Sequence, residues 1–161
     1  MFDMVSKGEC ISAFVRAWKL TKDDAYAEGA RRALTLMCKP IEEEGPAIYV
    51  GKDIFLEEVP HNRRVPILNG WIFAFFGLYD FWLVFNDKQT YEIFKQSLDS
   101  LLAHLGEYDA GYWSYYDIQK HLASPFYQDL HIHQLRALAM VENSSRLTQI
   151  LGRWELINIV D

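Results

Sequence analysis

Apolar and polar positions along the chain switch between helical and extended periods. From about Met4 to Leu20, Ile11, Phe14, Val15 and Trp18 recur at the three- and four-residue steps that place side chains on one helix face. Thr21 followed three residues later by Asp24 is a capping signature that opens a second helix. Pro40 closes that helix, so the two predict an antiparallel hairpin. Between Gly45 and Pro60, AIYVGKDIFLEE places β-branched and aromatic residues on both sides of a Gly-Lys-Asp turn. This predicts a short β-hairpin whose second strand ends at Glu57 and Glu58.

A third, almost wholly apolar helix is predicted from Ile67 to Phe85. Asn86 stands where it can cap a fourth, in which Ile93, Phe94, Leu98, Leu101, Leu102 and Leu105 mark one face. The glycine-punctuated aromatic stretch GEYDAGYWSYYDI, Gly106 to Ile118, reads as an extended loop. A fifth helix follows from near Tyr127 to Val141, and Asn143 or Ser144 caps a sixth with Leu147, Ile150, Leu151 and Trp154 inward. In each of the three helical hairpins the first helix is the more apolar. The expected fold is therefore mainly α: an α/α toroid-like, incomplete barrel with a short β-hairpin, whose loops converge on a cleft at one rim.

Composition narrows this picture. A chain of 161 residues, half of them apolar, is the size of one domain with a real core. The formal net charge of −6 argues against a broad nucleic-acid footprint, which needs a basic stripe to neutralise phosphates. Cys10 and Cys38 lack metal-ligand spacing and read as buried thiols. The opening MFDMVSKGEC has no basic region followed by an apolar run, so the chain as written reads as cytoplasmic. Ile67 to Phe85 is long enough to span a bilayer, but it contains Asn69, Gly70, Gly77 and Asp80 and lacks a basic flank on its C-terminal side. The expectation is a buried helix and no membrane span.

Candidate chemistry gathers in two strings, SYYD at Ser114 to Asp117 and SPFYQDLHIHQL at Ser124 to Leu135. The second places a tyrosine and two histidines where a helix begins. His131 and His133 are two residues apart and face different ways on a helix, so they make a poor chelating pair and no metal site is expected.

With ILNGWIFAFFGLYD (Ile67 to Asp80), SKGECISAFVRAWKLT (Ser6 to Thr21) and FLEEVP (Phe55 to Pro60), these strings resemble the C-terminal catalytic domain of the D-glucuronyl C5-epimerases. That family converts glucuronate to iduronate within heparan-type polysaccharides. The five strings keep the family order over nearly the whole chain, residues 1–161. The resemblance implies catalysis by a glutamate in the first loop and tyrosines in the later two, matching Glu58, Tyr116 and Tyr127. It implies no organic cofactor. A further family tyrosine is Val59 here, and an arginine expected three residues after the first loop tyrosine is Gln119, with Lys120 beside it. Family members also carry an N-terminal β-rich region that shapes the substrate groove and that this sequence lacks. A stand-alone minimal domain, a fragment and half of a split enzyme are all compatible with that. The expected partners are a uronic-acid-containing glycan and either a second copy of the chain or a separate β-rich module.

C5 epimerisation removes a proton beside a carboxylate and returns one to the opposite face of the ring, so it needs groups on both sides of the sugar. A carboxylate or tyrosinate serves as base and a neutral tyrosine as acid. Because a free tyrosine has a pKa of ~10, cations or hydrogen bonds must stabilise its phenolate. His61, Arg63, Arg64, Lys120 and His131 are the candidates, and they could equally neutralise the substrate carboxylate as negative charge builds on it. The preferred use of His131 is to orient Tyr127 from one helical turn away. Asn69 could cap its helix or hydrogen-bond substrate. Glu58 also reads as an exposed strand-end acid, Arg63 and Arg64 as a solvated loop pair, and the tyrosines as rim packing. Two rival functions remain at this level: a polysaccharide lyase, in which the same deprotonated uronate expels its C4 substituent, and a non-catalytic glycan-binding module.

Overall fold

The computed structural model describes residues 4–56 and 65–157. Glu57, Glu58, Val59, His61, Arg63 and Arg64 lie outside the described residues. Among those described there are six α-helices and one two-stranded sheet: α1 Met4–Thr21, α2 Asp24–Met37, β1 Ala47–Val50, β2 Asp53–Leu56, α3 Leu68–Phe85, α4 Lys88–His104, α5 Pro125–Val141 and α6 Ser145–Ile157. The expected mainly α fold with a β-hairpin is observed. The chain groups into two compact units, one of Met1–Pro66 with Gly70–Ser100 and one of Ile67–Asn69 with Leu101–Asp161.

In the first unit, α1 and α3 touch backbone to backbone. A Cβ on Gly77 would stand 2.8 Å from the carbonyl oxygen of Gly8, so only glycine permits this approach. Further along both helices Arg16 pairs with Asp80 at 3.0 Å, and the rings of Trp18 and Phe85 lie 5.0 Å apart, so the two run parallel. The hairpin partner α4 is antiparallel to α3. Trp71 donates its indole N–H to Ser97 at 3.1 Å, Phe75 stacks on Phe94 at 4.8 Å, and Trp82 meets Tyr91 at 4.8 Å. The long apolar α3 buries Trp71, Ile72, Ala74, Phe75, Leu78 and Phe81. By length and composition alone this helix could cross a membrane, yet 56% of it is buried inside the protein, as a core helix is.

The hairpin pairs Ala47 with Leu56 and Val50 with Asp53 across a turn in which Gly51 takes a left-handed φ of 59°. It is fastened to α4 by the Ile54 amide, which donates to Ser100 Oγ at 3.0 Å.

Two caps differ from the sequence expectation, one by two residues and the other by one. Asp23, rather than Thr21, caps α2, its carboxylate accepting from the Ala25 amide at 2.9 Å, while Thr21 turns back to the Ala17 carbonyl. Asp87, rather than Asn86, caps α4 by accepting from the Thr90 amide at 2.7 Å. Asn86 instead ends α3 in a left-handed conformation. Of the two cysteines expected as buried thiols, only Cys38 has its thiol buried. Cys10 is exposed, and Cys38 is only partly exposed at its surface although burial of its thiol pushes the pKa up to about 12.

In the second unit, α5 and α6 pack through Ile132, Leu135, Leu138, Leu147, Ile150 and Trp154, all buried. Asp109 ties the aromatic loop to α6 by accepting from the Trp154 indole at 2.9 Å and pairing with Arg153. Burial opposes ionisation of Asp109, but hydrogen bonds from Trp154, Arg153 and the Gly111 amide, together with the Arg153 charge, outweigh it and hold the carboxyl below its usual range.

Candidate active site

Tyr116 is held by its backbone. Residues 109–123 fold into a compact loop closed by isolated antiparallel bridges between Asp109 and Ser114 and between Tyr115 and Leu122, and a third joins Ile67 to Asp117. The Tyr116 amide donates to the His121 carbonyl at 2.6 Å, and its own carbonyl accepts from the Leu68 amide at 3.0 Å. Lys120, at a left-handed φ of 68°, makes the return of this loop, and Asp117 braces it by accepting from His121 Nδ1 at 2.8 Å. Both backbone polar groups of Tyr116 are therefore paired, and its place is set independently of its side chain.

Tyr127 is fixed by the start of α5. Ser124 is the N-cap, its hydroxyl accepting from the Tyr127 amide at 3.4 Å, and Pro125 supplies the restricted φ of a first helical turn. The two tyrosine rings, one from the loop and one from the helix start, lie 4.6 Å apart at 58°. Both are half-buried. Phe126 stands edge-on to Tyr127 at 5.3 Å and is itself 71% exposed.

Behind the pair lies a buried polar cluster built on Ser114. Its amide donates to Gln128 Oε1 at 2.8 Å, its hydroxyl is 2.7 Å from His131 Nδ1, and its carbonyl accepts from the Ala123 amide at 3.0 Å. Further along α5, Gln134 donates to the Asn69 carbonyl at 3.0 Å. Asn69, Ser114, Gln128, His131 and Gln134 are all buried. Asn69 Oδ1, Gln128 Nε2, His131 Nε2 and Gln134 Oε1 have no hydrogen-bond partner among the described residues.

Tyr116 and Tyr127 are brought together. Lys120 is exposed on the same loop as Tyr116. Asn69 is 4% exposed, so it reaches no open surface. His131 is fully buried, and burial lowers its pKa to about 3, so at ordinary pH it is a neutral imidazole rather than one of the cations expected. Its bonded partner is Ser114; its ring lies 6.4 Å from that of Tyr127. His133 is exposed, with Nδ1 2.8 Å from the Asp129 carbonyl. Glu58, Arg63 and Arg64 lie outside the described residues.

Sequence reasoning passed over Ser114, Gln128 and Gln134. The available signal was polar residues at 128, 131 and 134 on the face of α5 that also carries Leu135 and Leu138, where three-residue steps keep side chains on one side.

An α-helical domain that sets two half-buried phenols against each other over a neutral buried histidine has the parts of an acid–base site built on tyrosine. The family model of the D-glucuronyl C5-epimerase C-terminus matches residues 2–156, and the chain belongs to that family. A D-glucuronyl C5-epimerase of Caenorhabditis elegans is 27% identical over 93% of this chain. An uncharacterized protein of Methanocaldococcus jannaschii is 30% identical over 80% of it. The chain spans 27% of the first relative's length and 42% of the second's.

Proposed function

We propose that residues 1–161 act as one epimerase C-terminal-like domain, an isomerase that converts glucuronate to iduronate in a glucuronate-containing polysaccharide or oligosaccharide. The observation that carries this reading is the contact of Tyr116 with Tyr127, two residues that match the family's loop tyrosines, at a ring separation of 4.6 Å. Glu58, Tyr116 and Tyr127 are the catalytic residues. One basic group takes the C5 proton, the pair of electrons moves into the neighbouring carboxylate, and a neutral acid on the opposite ring face returns a proton to C5. Arg63, Arg64 and Lys120 neutralise the carboxylate as its charge grows. Asn69 and His131 serve the site from within the protein. The closing of the helices into a toroid belongs to the same reading.

In heavy water the wild-type chain should incorporate deuterium at C5 of a glucuronate-containing oligosaccharide. Tyr116→Phe or Tyr127→Phe should reduce incorporation by about 100-fold or more, the usual scale of a lost acid or base. Incorporation that survives both changes would remove the tyrosines from the mechanism.

A further inference from the structure

The elements that carry the two tyrosines are tied to each other behind the rings. Tyr116 lies on the loop and Tyr127 on α5, and the tie between these elements nearest to both is Ser114. Ser114 stands two residues before Tyr116 on the same bridged loop, so holding Ser114 against α5 limits how far Tyr116 can move. Ser114 is wholly buried, and α5 grips it twice, through the Gln128 carbonyl oxygen on its amide at 2.8 Å and through His131 Nδ1 at its hydroxyl at 2.7 Å. Gln128 is the residue after Tyr127, and His131 lies one turn beyond it, so the grip originates in the same first turns of α5 that carry Tyr127.

We propose that Ser114, Gln128 and His131 form a positioning clamp that sets the spacing of Tyr116 and Tyr127 for proton transfer. This rests on the reading of the two tyrosines as catalytic residues. The clamp is suited to the task because Ser114 is buried with its amide, carbonyl and hydroxyl each partnered. Removing the His131 nitrogen frees the Ser114 hydroxyl in a closed interior, and the loop then gains by shifting until that hydroxyl finds another partner. A displacement of about 1 Å at a reacting group costs up to about 100-fold in rate. None of the three touches substrate, so the effect falls on the chemical step and leaves substrate affinity nearly alone.

The test compares His131→Leu, which removes the nitrogen, with His131→Asn, whose amide can take the place of Nδ1, and with Gln128→Met, which removes only the bond to the Ser114 amide. Two readouts are taken on the full chain. One is kcat and KM for C5 exchange in heavy water. The other is the nuclear Overhauser contact between the Tyr116 and Tyr127 rings in tyrosine-labelled protein. His131→Leu and Gln128→Met should weaken the ring contact and lower kcat at least tenfold with KM within twofold of wild type, and His131→Asn should restore most of both. A ring contact unchanged in folded His131→Leu or Gln128→Met would overturn the clamp, and so would a lost contact with unchanged kcat. If His131→Leu does not fold, Gln128→Met and His131→Asn carry the comparison. If wild-type protein shows the ring contact but no exchange, the catalytic reading fails by itself and the positioning role fails with it; loss of contact in the variants would then show a structural tie alone.

Discussion

His131 shows how one buried side chain can govern stability without carrying charge. Its nearest rings are Tyr127 and Trp154, both 6.4 Å away, and its bonded partner is a neutral hydroxyl, so nothing described beside it rewards protonation. Burial accordingly lowers its pKa from 6.5 to about 3. In the unfolded chain the same imidazole titrates near its ordinary value. Between these two values the unfolded state binds the extra proton, so stability must fall as pH drops below 6.5 and level off near 3. At about 1.4 kcal/mol per pH unit, the wild-type protein should lose about 2 kcal/mol of unfolding free energy between pH 6.5 and pH 5. His131→Asn should lose almost none over that interval. Urea titrations at pH 7, 6.5 and 5 read the difference, and equal acid slopes in the two proteins would mean that His131 accepts a proton in the folded state. The same neutrality predicts that a change in activity between pH 5 and 8 comes from groups other than His131.

At the scale of elements, the glycines separate packing from propensity. Ala is the better helix former by about 1 kcal/mol, so Gly152→Ala on α6, where a Cβ would meet nothing within 4 Å, should stabilise the protein by about that amount. Gly77→Ala on α3 should do the reverse. Its Cβ would meet the backbone of Gly8 on α1, which cannot rotate away, and forcing the helices apart costs about 1–3 kcal/mol. Denaturant midpoints of opposite sign relative to wild type are the expected result, and stabilisation by both would show that α1 and α3 separate freely. The elements themselves were legible in the sequence: six helices and the hairpin fall within a few residues of their apolar patterns, because period and burial agree along them. The caps differ by two residues at Asp23 and by one at Asp87. In each case two nearby residues can cap, and the choice depends on the backbone path leaving the preceding helix. The tyrosine pair was legible through family resemblance. Ser114 was not, because a serine in an aromatic loop has no periodic signature and its partners stand 14 and 17 residues away.

At the scale of the whole molecule, charge and the proposed substrate oppose each other. The chain carries 22 acidic against 16 basic residues, and a glucuronate-containing glycan is a polyanion, so at long range the two repel. Binding must then depend on a few cations close to the bound carboxylates, of which Lys120 is exposed on the loop that carries Tyr116. Salt separates the two distances. The screening length is about 30 Å at 0.01 M and about 8 Å at 0.15 M, so the first additions of salt remove the repulsion of the whole surface before they weaken contacts of a few ångströms. Affinity for a glucuronate-containing oligosaccharide should therefore rise about two- to threefold between 10 and 150 mM salt and decline only beyond that. A protein that bound the glycan through a continuous basic stripe would behave oppositely, losing affinity steeply from the lowest salt upward. Calorimetric titration across that range distinguishes the two: a monotonic loss would place a basic face on this acidic chain, and a maximum near physiological salt would confine recognition to a few local cations.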